Sequence, residues 1–111
     1  MDVNLFDQYQ RLASRTRNDQ LDDTARLANL AMGLAGESGE VCDYLKKVVF
    51  HGHTLDEGKL ADELGDVLWY LANLAEVNGI TLQTIAENNI AKLRKRYPDG
   101  FDEKRSQQRS R

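Results

Sequence analysis

A nine-residue segment occurs twice in the chain, 26 positions apart: ESGEVCDYL at 37–45 and ELGDVLWYL at 63–71. Five positions are identical, and Glu40 of the first copy is answered by Asp66 in the second. Each copy sits inside an apolar pattern of helical period. At 100° per residue, Leu30, Leu34, Val41, Leu45 and Val48 share one side of one helix. Leu60, Leu64, Val67, Leu68, Leu71 and Leu74 do the same on the next. Between them stands His51-Gly52-His53, a turn. Two helices that repeat one motif across one short turn fold as an antiparallel hairpin.

The remaining chain reads as flanking helices. One spans about Asn4–Arg17, with Leu5, Tyr9 and Leu12 at helical spacing, and an Asn/Asp-rich break follows at 18–23. The hairpin helices span about Thr24–Phe50 and, from a Thr54/Glu57 capping box, to about Asn78. Gly79 is a helix stop, and Thr81 caps a last helix that reaches about Arg96 before Tyr97-Pro98 ends it. Strand-type alternation is absent, so the fold class is all-α.

The repeat also places carboxylates. Glu37 and Glu63 border the apolar stripes, with Glu40 and Asp66 one step outward. In an antiparallel hairpin, residues at one level have position numbers of constant sum. The two acid pairs sum to about 103, which puts the turn near position 51.5, where His51-Gly52-His53 lies. Four acids then meet at one level, roughly 20 Å from the bend. Acidic pairs three apart are common in a chain with 18 acidic residues, and a solvated helix face is their ordinary meaning. Convergence across two helices is different, because like charges repel unless a cation lies between them. An all-oxygen set without His or Cys points to Mg²⁺, or Mn²⁺, rather than zinc. Four such acids suit two or more ions bridging a polyphosphate.

Gly33, Gly36 and Gly39 recur every third residue. With Ala25, Ala28, Met32 and Ala35 they make a small-residue face opposite the Leu/Val stripe. That face, and Trp69 on the far side of its helix, are expected to pack against a second copy, so that the hairpin doubles into a four-helix bundle. A homodimer or higher homo-oligomer is the expected state.

Charge and composition exclude several classes. Residues 1–103 carry 11 basic and 18 acidic side chains, an acidic body unsuited to stable nucleic-acid binding. The last eight residues, KRSQQRSR, hold four positive charges and no negative ones. The expected organisation is one domain at 1–103 and a basic, disordered tail at 104–111. No run is apolar enough to span a membrane, and the N-terminal residues lack a secretory pattern. The single cysteine, Cys42, forms no internal disulfide and reads as a small buried hydrophobe. The expected location is cytoplasmic.

GLAGESGEV followed by DELGDVLWYLANLA resembles the Glu-x-x-Glu … Glu-x-x-Asp signature of MazG-like nucleotide pyrophosphohydrolases, in the all-α NTP pyrophosphohydrolase superfamily. NIAKLRKRYPDGF resembles the closing segment of that family, and the likeness covers about residues 25–101. It implies Mg²⁺-dependent cleavage of a nucleoside triphosphate between its α and β phosphates, giving a monophosphate and pyrophosphate. Carried over, Glu37, Glu40, Glu63 and Asp66 are metal ligands and catalytic residues, and one of the glutamates orients or deprotonates the attacking water. Candidate phosphate-binding residues are Lys59, Asn89, Lys92 and Arg96. Lys59 could equally pair with Glu63 one turn on, and Lys92 and Arg96 could be a solvated basic helix end. Ile90 and Leu93 are expected to bury the adjoining face and aim that row at the rim of the core. Tyr44 and Tyr70 read as core-edge residues, His51 and His53 as turn residues. The rival readings are a phosphoribosyl-ATP pyrophosphohydrolase-like enzyme and a non-catalytic nucleotide-binding or helical interaction module.

Overall fold

The structure, a computed structural model, describes residues 5–109. It contains α1 (Leu5–Ser14), α2 (Asp23–Phe50), α3 (Glu57–Val77), α4 (Leu82–Arg96) and a short α5 (Glu103–Gln107), with no strand among the described residues. The all-α class and the α2–α3 hairpin are as the sequence predicts. Asn4, the expected start of the first helix, and the last two tail residues lie outside the described residues.

Local chemistry sets the boundaries. Asp22 opens α2 by accepting from the Ala25 N–H at 2.8 Å, and Thr81 opens α4 by accepting from Thr84 N–H at 3.0 Å. The α3 start differs from expectation. Asp56, not Thr54, is the N-cap, accepting from the Gly58 and Lys59 amides at 3.0 and 3.2 Å. A carboxylate two residues nearer the helix takes the free donors and leaves Thr54 in the connection. Gly79 follows α3 at φ +70°, the left-handed stop that lets α4 begin at once. Residues 103–107, most of them in the expected unstructured tail, form the one turn of α5, capped by Asp102 onto Lys104 N–H.

The hairpin closes at the expected register. A Cβ placed on Gly33 would stand 2.0 Å from Tyr70 Cε1, so the α3 ring fills the notch that this glycine leaves in α2. Positions 33 and 70 also sum to 103. Leu30 and Tyr44 of α2 are buried, and Glu37, Val41 and Val48 half-buried, all on the side facing α3.

Helix α1 changes what α3 buries. Its Gln10, 6% exposed, donates to Ala72 O at 3.2 Å and Ile80 O at 2.9 Å, and accepts from Leu82 N–H at 3.1 Å. One amide thus ties α1 to the end of α3 and the start of α4. Fully buried Asn73 donates to Ala13 O and Trp69 O, and Arg17 bonds Asn73 and Glu76. Trp69 Nε1–H donates to Thr16 Oγ1 at 2.8 Å. Trp69 therefore finds a hydrogen-bond partner within the chain, in the turn that follows α1.

With α1 on that side, the α3 stripe splits. Leu60, Val67 and Leu74 are half-buried, whereas Leu64, Leu68 and Leu71 form an exposed ridge at 50, 38 and 36%. Cys42, expected inside, is exposed, on a side of α2 that no described element covers. On α4 the buried or half-buried positions are Leu82, Gln83, Ile85 and Ala86 at its start and Arg96 at its end, and every position from 87 to 95 is exposed. Ile90 and Leu93 are 46 and 39% exposed, against the expectation that they pack inward. The Cα radius of gyration is 17.1 Å, against roughly 13 Å for a compact domain of this length.

Candidate metal centre

Glu37 reaches the hairpin seam from α2, and Glu63 and Asp66 reach it from α3. Oxygen atoms of these three carboxylates lie within 4.8 Å of one another. The i, i+3 spacing puts Glu63 and Asp66 on one face of α3, and the register of 103 sets Asp66 opposite Glu37. Glu40 stands one turn along α2, opposite Glu63, and lines an adjoining pocket with it. The structure thus brings three of the expected acids into one contact and keeps the fourth beside it.

The electrostatics show strain. The Glu37 carboxyl is held above its usual range, first by partial loss of hydration and then by the charges of Asp66, Glu63 and Glu40. Among the described residues no ion pair neutralises any of these four acids. By contrast, Asp43 pairs with Lys47 at 3.0 Å and Lys46 at 3.1 Å, and these cations hold its carboxyl below the usual range. Tyr9 of α1 comes close enough that burial, and then the charge of Asp66, push its hydroxyl upward. Uncompensated carboxylates drawn from two helices are a donor set for a hard divalent cation.

Of the expected cationic residues, only Lys59 is at this site. Its ammonium lies over the Tyr44 ring, 4.7 Å from the centroid, and among the described residues it makes no ion pair with Glu63. Asn89 and Lys92 are exposed on the distal half of α4 and Arg96 is half-buried, and none of the three lines the pocket beside the acids. Two residues read as ordinary turn or edge positions do reach it. His53 lines the pocket, and Tyr44 forms part of its wall, its hydroxyl accepting from Asp56 N–H at 2.8 Å. Sequence spacing could not reveal His53, because a loop has no period from which to read a direction.

Comparison with known proteins agrees with this geometry. Residues 26–101 match the MazG nucleotide pyrophosphohydrolase domain. Gene 37 protein of Mycobacterium phage L5 is 37% identical over 83 residues, covering 71% of this chain and 73% of the phage protein. No solved structure matches. The matched span holds all four acids, α3 and all of α2 but its first three residues, and the chain belongs to the family of MazG nucleotide pyrophosphohydrolase domains.

Proposed function

We propose that the protein hydrolyses nucleoside triphosphates at the α–β phosphate bond, releasing a nucleoside monophosphate and pyrophosphate, with Mg²⁺ or Mn²⁺ as cofactor. The observation that carries this reading is the meeting of Glu37, Glu63 and Asp66 across the hairpin, with no ion pair to any of them among the described residues. Those three residues, with Glu40 beside them, would hold the metal. When bound, it would neutralise phosphate charge and lower the pKa of a water. One of the glutamates orients that water or takes its proton. Lys59, Lys92 and Arg96 answer the remaining charge of the triphosphate, and Asn89 adds a polar contact. The composition and the lone thiol support a cytoplasmic setting.

The acting species in this reading is a homodimer or higher homo-oligomer. Leu64, Leu68 and Leu71 recur at i, i+4, i+7, a ridge that a two-fold axis makes self-complementary. A second copy on this ridge would complete a four-helix bundle. Light scattering that showed a stable monomer at micromolar concentration would overturn this part.

The enzymatic reading is tested by turnover of ribo- and deoxyribonucleoside triphosphates with Mg²⁺, with the products identified. Monophosphate plus pyrophosphate is expected; diphosphate plus inorganic phosphate would overturn it. Lys92→Ala and Arg96→Ala should each lower kcat/KM roughly ten- to a hundredfold, since a charge-assisted contact is worth about 1.5–3 kcal/mol.

A further inference from the structure

The charge of the chain is segregated along its length. Residues 1–91 carry 7 basic and 15 acidic side chains, whereas residues 92–111 carry 8 basic and 3 acidic ones. The body is therefore at −8 and the C-terminal arm at +5. Of the three acids in the arm, Asp102 is engaged in capping α5. The cations are not engaged: Arg94, Lys95, Lys104 and Arg105 are all exposed, and none makes an ion pair among the described residues.

The backbone gathers these charges around two rings. Tyr97 and Pro98 end α4, Gly100 takes φ +92°, and its N–H donates to Tyr97 O at 3.2 Å. This turn lays the Phe101 ring against Tyr97, with centroids 5.6 Å apart and planes at 42°. Arg94 and Lys95 precede the pair in the last turn of α4, and Lys104 and Arg105 follow it in α5. Tyr97 is half-buried and Phe101 is 75% exposed, so the inner ring steadies an outer one that faces solvent. A lone exposed Phe is ordinary, but one backed by a second ring and set among uncompensated cations is a stacking surface.

This surface is separate from the acid cluster. Arg94 lies on the opposite side of α4 from Lys92 and Arg96, at about 100° per residue. Lys104 and Arg105 lie beyond the residues that match the family, 26–101. Positions 87 to 95 are exposed, so the hairpin leaves this end of α4 uncovered.

We propose that the C-terminal arm binds single-stranded nucleic acid, with Arg94, Lys95, Lys104 and Arg105 meeting phosphates and the Phe101 ring stacking on a base. A duplex keeps its base faces inside its own stack and offers Phe101 nothing. An anionic lipid surface favours a helix with an apolar face, and α5, EKRSQ, has no apolar side chain. The acidic body repels a polyanion and remains unsuited to stable binding. Contact is thus confined to the arm, short and sensitive to salt.

The test is fluorescence anisotropy of a labelled, mixed-sequence single strand of about 16 nucleotides, in EDTA so that the acids hold no metal. Wild type should bind it at low salt, and unlabelled single strand should compete better than duplex, phosphatidylserine vesicles or a nucleoside triphosphate at equal phosphate. Phe101→Ala should weaken binding roughly ten- to a hundredfold without changing the salt dependence, and Phe101→Trp should restore it. Combined Arg94→Ala, Lys104→Ala and Arg105→Ala should flatten the slope of log affinity against log salt by about 2, at roughly 0.7 for each cation. Lys46→Ala, at the hairpin bend, should stay within about twofold of wild type. Tm should barely move in any variant, because the altered side chains are exposed. No binding by wild type would overturn the proposal, as would a Phe101→Ala affinity within about twofold of wild type. An unchanged slope in the triple variant, or any of the three competitors matching the single strand, would overturn it too. None of these readouts depends on turnover, so they leave the pyrophosphohydrolase reading untouched.

Discussion

The two copies of the repeat carry the same residues and do different work. In α3 both acids, Glu63 and Asp66, enter the three-carboxylate contact; in α2 only Glu37 does, and Glu40 stands aside. Tyr44 of the first copy is buried and uses its hydroxyl to hold the bend. Tyr70 of the second copy uses its ring, filling the notch at Gly33 and meeting Trp69 edge-on at 4.9 Å. The cause is what lies behind each helix. Helix α1 and the turn after it pack against α3 at Asn73 and Trp69, while no described element packs on the outer side of α2. An internal repeat therefore fixes which residues can meet, and the third helix decides which of them do.

The largest expected effect breaks the acids apart. Glu37→Ala, Glu63→Ala and Asp66→Ala should each abolish turnover, whereas Glu40→Ala should cost about ten- to a hundredfold, as for a group supporting metal ligands. Initial rates with pyrophosphate detection check this. An equal loss at all four positions would restore symmetry between the copies. The metal-free variants should stay folded, with melting temperatures at or above that of wild type, because each substitution removes repulsion from the cluster.

Packing gives the next effect. Gly33→Ala drives a methyl into the Tyr70 ring and should destabilise by about 1–3 kcal/mol. Gly39→Ala meets open space in the chain and should raise stability by up to about 1 kcal/mol through helix propensity. Urea denaturation of both variants measures the contrast. A clear loss at Gly39 would instead place a second copy on the small-residue face of α2.

The tyrosines should separate in the same assay. Tyr44→Phe leaves the Asp56 N–H without its acceptor and should cost about 1–2 kcal/mol. Tyr70→Phe should be near neutral, because the work of Tyr70 lies in its ring. Comparable losses would mean that the Tyr70 hydroxyl has a structural task too.

The smallest effect is a pH dependence. The folded state holds the Glu37 proton more tightly than the unfolded chain does, so it binds more protons just above the usual value of 4.5. The metal-free protein should therefore lose the Glu37 contribution as pH rises through that window. Glu37→Gln should not, and the Tm difference between variant and wild type should widen upward in pH. A difference flat across the window would leave Glu37 unperturbed.

Much of this was legible without coordinates. Periodicity located α2, α3 and α4, because helical spacing is a local property of the chain. The register of the hairpin followed from the repeat, and it holds at Gly33 and Tyr70 as well as at the acids. Other features were not legible. The α3 cap went to Asp56 because two acceptors competed for the same amides and only geometry chose between them. Trp69 looked unpartnered because α1, short and polar, gave no sign of where it would dock.

The sequence by itself determined the helices, their pairing and the level at which Glu37, Glu63 and Asp66 meet, all of which follow from periods and sums along the chain. Only the tertiary structure decided that the turn after α1 meets Trp69, that Leu64, Leu68 and Leu71 are left outside, and that His53 turns toward the lysines. Those outcomes depend on how helix faces rotate against one another and on a loop held by single hydrogen bonds. Neither quantity has a period that a sequence can display.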